Sequence, residues 1–222
     1  MRYETEIKLA IPDPKALQRR LKRLGVKPQN PKAPRVHEMN LLFDTPDGGL
    51  AKHGQLLRIR TESPAAAKKS PKVKTPSRTL LTFKSPPDQL AIGDLHHDGN
   101  PNRRYKIREE IEAELPDGAA LKKIFEGLGL RGWFRYEKFR TTYILPARHR
   151  WANGLLIEVD ETPIGLFVEL EGPGEAIDRA ASELGFSRRD YILKNYLVLY
   201  LDDCKRQGKQ PTHMLFDSKN LA

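Results

Sequence analysis

Arg2-Tyr3-Glu4-Thr5-Glu6-Ile7-Lys8-Leu9-Ala10-Ile11 is the stretch on which the reading of this chain turns. Side chains of an extended strand alternate between its two faces. Tyr3, Thr5, Ile7 and Leu9 therefore share one face, and Glu4, Glu6 and Lys8 share the other. A strand that is apolar on one side and charged on the other suits an antiparallel sheet with one wet face, or a closed barrel with a polar lumen.

The same alternation recurs downstream. Strands are expected at 40–45, 55–61, 79–84, 106–115, 134–145, 155–160 and 166–171. Their charged faces carry Arg58 with Arg60, Lys84, Arg108 with Glu110 and Glu112, Lys138 with Arg140, Asp160, and Glu169 with Glu171. Charges scattered toward water would be mixed in sign along each strand, whereas most of these sets hold one sign. Asn153-Gly154 reads as a short hairpin joining two of the strands.

Helices fall between the strands. Asp13 caps the first, Pro14 fits its first turn, Leu17, Leu21 and Leu24 form its apolar stripe, and Gly25 ends it. A second spans 119–128, with Leu121, Ile124, Phe125 and Leu128 as its buried side, and a third spans 175–184. Ser187 with Asp190 forms a capping box that would open a last helix running to about Cys204. The segment 64–78 contains Lys68, Lys69, Lys72, Lys74 and Arg78 with no acid and reads as a basic loop, as does the Pro/Gly/Asn-rich 86–103, which holds His96-His97. The tail after Gly208 lacks periodicity and is expected to be disordered.

The chain has 222 residues, one domain's worth, and only 38% of them are hydrophobic. Part of the interior is therefore expected to be polar. A net charge of +10 calls for a polyanionic partner. With Cys204 as the sole cysteine, no apolar run of membrane-spanning length and no signal-peptide core, the expected setting is cytoplasmic, away from membranes. No RNA-binding motif or zinc-type Cys/His spacing appears, so nucleic acid is not the expected partner.

Clustered carboxylates repel one another and need a cation to coexist, and oxygen ligands suit hard ions such as Mg2+ or Mn2+. Clustered Arg and Lys need anions, and Arg pairs with phosphate through two parallel bonds. A metal-bound polyphosphate satisfies both sets. Exposed cross-strand salt bridges would each contribute only about 0–1 kcal/mol, a weak reason for so extended an array.

Glu4-Thr5-Glu6-Ile7-Lys8 resembles the Glu-x-Glu-x-Lys signature of the CYTH superfamily, the triphosphate tunnel metalloenzymes. Leu57-Arg58-Ile59-Arg60, Leu81-Thr82-Phe83-Lys84, Arg108-Glu109-Glu110-Ile111-Glu112, Lys138-Phe139-Arg140, Glu158-Val159-Asp160 and Phe167-Val168-Glu169-Leu170-Glu171 resemble its later strands in order, and Lys194 with Tyr196 and Leu197 its closing helix. The resemblance implies an α+β fold: a closed eight-stranded antiparallel β-barrel forming a tunnel, with helices packed outside. The tunnel domain would cover 1–206, with a basic insertion at about 62–78, and leave 207–222 as tail. By position, Glu4, Glu6, Glu110 or Glu112, Asp160, Glu169 and Glu171 are implied to hold one or two Mg2+ or Mn2+ ions. Lys8, Arg58, Arg60, Lys84, Arg108, Lys138, Arg140 and Lys194 are implied to hold phosphate oxygens. The implied activity is hydrolysis of a triphosphate, with inorganic tripolyphosphate ahead of nucleoside or thiamine triphosphate. The alternatives are a class IV-type adenylyl cyclase and a non-catalytic polyphosphate or nucleotide binder, as a monomer or homodimer.

Overall fold

Ile7 and Leu9 lie at 1% and 0% exposure, yet they point away from the barrel they help to build. Their strand, β1 (Arg2–Ala10), turns them onto α1 (Pro14–Leu24) and α4 (Gly174–Glu183), and the apolar faces of β8 (Leu156–Thr162) and β9 (Gly165–Glu171) join them. The main core thus sits outside the barrel wall, and the polar faces turn inward.

The computed structural model describes residues 2–65, 77–86 and 104–217. The remaining strands are β2 (Lys27–Pro28), β3 (Arg35–Asp44), β4 (Leu56–Pro64), β5 (Arg78–Lys84), β6 (Lys106–Leu115) and β7 (Arg131–Ile144). They pair in the order β7-β3-β4-β5-β6-β1-β9-β8, and β8 returns to β7, closing an eight-stranded antiparallel barrel. The two-residue β2 adds to β7. Closure removes most of the sheet edge among the described residues, which suits strands whose two faces are both committed.

Three further helices lie among the described residues. The single-turn α2 (Gly49–Lys52) follows the Asp44 turn, and α3 (Gly118–Gly127) packs Phe125 against Phe43 and Ile59 on the outer wall. Ile124 and Leu128, expected on the buried side of this helix, are exposed, because one short helix covers only part of that wall. The last helix, α5 (Tyr196–Gln207), caps with the Asn195 side chain accepting from the Val198 amide at 2.9 Å. At one end of the barrel the inward positions carry Leu42, Phe134, Tyr136 and Phe167, which pack on Tyr196 of α5 and on Met214 as a second apolar cluster.

Several expectations need correcting. The capping box at Ser187 is present but supports one 3-10 turn, Arg188–Asp190. The chain then runs extended so that Ile192 and Lys8 exchange backbone hydrogen bonds, and helix resumes only at Tyr196. β3 begins at Arg35, earlier than expected. Asn153-Gly154 is the end of a longer connection containing a 3-10 turn at Arg150–Ala152, with Gly154 at φ 77°. The tail through residue 217 is ordered against β7. Met214 pairs with Tyr136 and is fully buried, and Phe216 packs on Phe139 at 5.2 Å. Lys68, Lys69, Lys72, Lys74 and His96-His97 lie outside the described residues.

Candidate active site

Register decides what enters the lumen. Residues directly opposite one another in an antiparallel pair share a face. Glu4 faces Arg108 and Glu6 faces Lys106 across β1–β6, while Lys8 faces Glu169 across β1–β9. Lys84 faces Glu110, Arg140 faces Asp160, and Glu158 faces Glu169. Around the ring these side chains, Asp160 excepted, line a cavity of about 910 Å³.

Glu4, Glu6, Lys8, Arg58, Arg60, Lys84, Arg108, Glu110, Glu112, Lys138, Arg140, Glu169 and Glu171 all line it, so most of the set expected from sequence meets in one place. Two members do not line it. Asp160 is fully buried beneath the lining side chains of Lys138, Arg140 and Tyr196, and Lys194 lies near the start of α5 with its ammonium 3.0 Å from Asp202. Sequence reading missed Glu38, Lys106 and Glu158, all lining residues. Lys106 and Glu158 were findable, since each stands two positions from a selected residue on the same strand. Glu38 gave no such signal, because its strand was expected to start after it.

Opposite charges interlock. Lys84 Nζ lies 2.5 Å from Glu4 and 3.3 Å from Glu110. Lys8 sits between Glu6 at 3.4 Å and Glu169 at 3.2 Å, and Lys106 pairs tightly with Glu6. Arg140 reaches Asp160 at 2.6 Å, Glu169 at 2.5 Å, Glu38 at 3.7 Å, and Glu158. Lys138 binds Asp160 at 2.9 Å and Glu38 at 3.5 Å. Arg60 binds Glu112 at 2.8 Å. Arg58 donates to Tyr136 Oη at 2.9 Å and Thr82 Oγ1 at 3.2 Å. The Nε of Arg58 and of Arg108 are buried with no hydrogen-bond partner among the described residues.

Titration follows from this crowding. Burial opposes ionisation of Glu6, but Lys106 and Lys8 outweigh it and hold the carboxyl well below its ordinary range. Burial dominates on Lys106; with help from Lys8, Arg108 and Lys84, and against the pull of Glu6, it brings the ammonium down to about 7. Burial also leads on Glu158, and repulsion from Glu169 and Asp160 pushes it up to about 8 despite Arg140. Carboxylates forced together in this way are the physical mark of a place that a cation would relieve. The donors are all oxygens, which fit Mg2+ or Mn2+. Among the described residues no three acidic, His or Cys side chains already converge on one point, and Glu4, Glu158 and Glu169 instead lean on Lys or Arg. Among them, no helix is long and apolar enough to cross a membrane.

A protein-family model for the CYTH domain matches residues 2–196. Solved structures with the same fold include a protein from Pyrococcus horikoshii OT3 (TM-score 0.65, 20% identity, covering 90% of this chain and 99% of that one). A candidate adenylate cyclase from Vibrio parahaemolyticus aligns with TM-score 0.65 at 15% identity over 89% of this chain and 97% of that one. A candidate adenylyl cyclase from Hippeastrum, described as revealing a dominant triphosphatase activity, aligns with TM-score 0.51 at 21% identity over 94% and 97%. A comparison with curated proteins finds no match.

Proposed function

The chain belongs to the CYTH family, a metal-dependent family, and from that premise we propose that it hydrolyses a triphosphate inside its tunnel, inorganic tripolyphosphate first among candidates. The observation that carries this is the set of cations lining the cavity, among them Arg58 and Arg108, whose buried Nε–H donors have no acceptor among the described residues. Buried donors without partners cost about 1–3 kcal/mol each unless an acceptor arrives. A chain of phosphate oxygens supplies acceptors for both.

Lys8, Arg58, Arg60, Lys84, Arg108, Lys138 and Arg140 hold the triphosphate in this reading, with Lys106 added by the structure. Glu4, Glu6, Glu169 and Glu171, with Glu110 or Glu112, hold Mg2+ or Mn2+. The bound ion supplies charge neutralisation and a more acidic water. The lining cations stabilise the charge spread over the transferring phosphoryl group. Water's oxygen bonds to the terminal phosphorus, the anhydride P–O bond breaks, and orthophosphate and diphosphate leave.

One feature favours an organic triphosphate as a second reading. A smaller cavity of about 240 Å³ adjoins the tunnel and shares Leu56, Arg108, Tyr136, Asn195 and Tyr196 with it, while Leu42, Leu57, Trp133 and Leu197 make it largely apolar. ATP held there could be hydrolysed or cyclised. The test is a panel of tripolyphosphate, ATP and thiamine triphosphate, each with Mg2+ and Mn2+ separately and with products identified. Orthophosphate from tripolyphosphate supports the first reading. Cyclic AMP with diphosphate from ATP replaces it with a cyclase. No turnover of any triphosphate by folded protein overturns the hydrolase reading and leaves a binder.

A further inference from the structure

Asp160 and Glu158 point to the same side of β8, two residues apart, but their surroundings differ. Asp160 is 0% exposed and does not reach the cavity. Its Oδ1 accepts from Arg140 Nε at 2.7 Å. Its Oδ2 accepts from Lys138 Nζ at 2.9 Å, Arg140 Nη2 at 2.6 Å and Tyr196 Oη at 2.6 Å. A carboxylate offers about four lone-pair sites, and these donors use them. The Tyr196 ring adds a second tie, with Lys8 Nζ 5.4 Å and Lys138 Nζ 5.1 Å from its centroid. Asp160 and Tyr196 thus fix the positions of Lys8, Lys138 and Arg140 and bind α5 to the tunnel floor.

Glu158 is placed otherwise. It lines the cavity, stands directly opposite Glu169 across β8–β9, and has Thr142 on its other side, donating at 3.3 Å. It also pairs with Arg140, which Asp160 and Glu169 hold as well. Opposed Cβ atoms on paired strands lie about 4.5–5.5 Å apart, close enough for two carboxylates to converge on one ion.

We propose that Glu158, paired with Glu169, supplies the β8 carboxylate that binds the divalent cation, and that Asp160 is a positioning residue for the phosphate-binding cations. This rests on the triphosphate-tunnel reading above and changes which residue serves the metal within it. Glu158→Gln keeps size and hydrogen-bonding capacity while removing the charge. Tyr196→Phe removes one donor from Asp160 and leaves the ring in place.

The experiment titrates Mn2+ into the full chain by electron paramagnetic resonance, with melting curves as a check on folding and metal-free tripolyphosphate binding by calorimetry. Glu158→Gln is expected to weaken Mn2+ binding by about tenfold or more with tripolyphosphate binding retained, at least the loss that follows from removing a partner one shell further from a metal. Tyr196→Phe and Asp160→Asn are expected to keep Mn2+ affinity within about threefold and to weaken tripolyphosphate binding. Should Asp160→Asn not fold, Tyr196→Phe and Glu158→Gln decide. Unchanged Mn2+ affinity in Glu158→Gln, or a loss in either of the others matching it, overturns the inference. If wild type binds Mn2+ and hydrolyses a triphosphate while Glu158→Gln binds Mn2+ normally, only this inference falls. If wild type binds no Mn2+ at all, the metal reading falls with it.

Discussion

Glu6 illustrates how much each lumen side chain depends on its neighbours. It is 5% exposed and answers both Lys106 and Lys8. Truncation to Ala would leave two buried ammonium groups facing each other, so loss of activity could not be told from loss of fold. Glu6→Gln is the cleaner variant. On the proposed triphosphatase reading turnover is expected to fall by about 100-fold or more, because a carboxylate assigned to the metal is gone, and stability by about 3 kcal/mol, because the buried pairs are broken. Steady-state assays beside urea unfolding check both, and near-normal turnover in the folded variant would remove Glu6 from the site. Glu38 gives a pH test. Burial works against its charge, but Lys138, Arg60 and Arg140 prevail and lower its pKa from 4.5 to about 2. A depressed carboxyl stabilises the fold above its unfolded pKa, and that stabilisation is lost as pH falls through the folded value. Wild type should therefore lose up to about 3 kcal/mol of its advantage over Glu38→Gln between pH 4.5 and 2. Urea midpoints at stepped pH measure it, and a constant difference between the two proteins would contradict the assignment.

At the scale of elements, the alternation of β1 was legible because the period of a strand is written directly in the sequence, and the other inward sets followed from the same rule. Elements whose boundaries depend on distant partners were not. The Pro residues at 28, 31 and 34 masked the start of β3, and with it Glu38, whose outward neighbours His37 and Met39 give no apolar stripe. Ser187 and Asp190 carry a true cap signal, yet the backbone bridge from Ile192 to Lys8 holds the chain extended where local sequence would continue a helix. The tail has no period at all. It is ordered because β7 runs past the end of its pairing with β8, which stops at Phe139, and Met214 bonds backbone to Arg135 and Glu137 on the edge left open. Met214→Ala should then cost about 2–5 kcal/mol, as for any fully buried side chain of its size, against almost nothing for a disordered residue. Denaturant unfolding decides between the two, and a change below about 0.5 kcal/mol would mean the tail is not part of the barrel floor.

For the whole molecule, the low hydrophobic fraction and the fold have one explanation. The apolar faces are spent on the outer wall, where α1, α3 and α4 cover them, and the lumen is left to charges that neutralise one another. Part of the positive charge in the tunnel is already engaged, since Lys8, Lys84, Lys138 and Arg140 each hold carboxylates. On the proposed reading each ligand class displaces the other's partner at these groups: phosphate oxygens compete with Glu and Asp for the cations, and a divalent ion competes with Lys and Arg for the carboxylates. When both enter, each freed group finds a new partner, so their binding must be mutually favourable, and by linkage the factor is the same in both directions. Tripolyphosphate affinity measured calorimetrically should rise by about tenfold or more when Mg2+ is present, and Mg2+ affinity should rise by the same factor at saturating tripolyphosphate. Because tripolyphosphate also chelates Mg2+ in solution, the titrations are fitted with that equilibrium measured separately. Independent binding of the two, after that correction, would show that the lumen ion pairs are permanent struts, and the tunnel would then need another explanation for its charges.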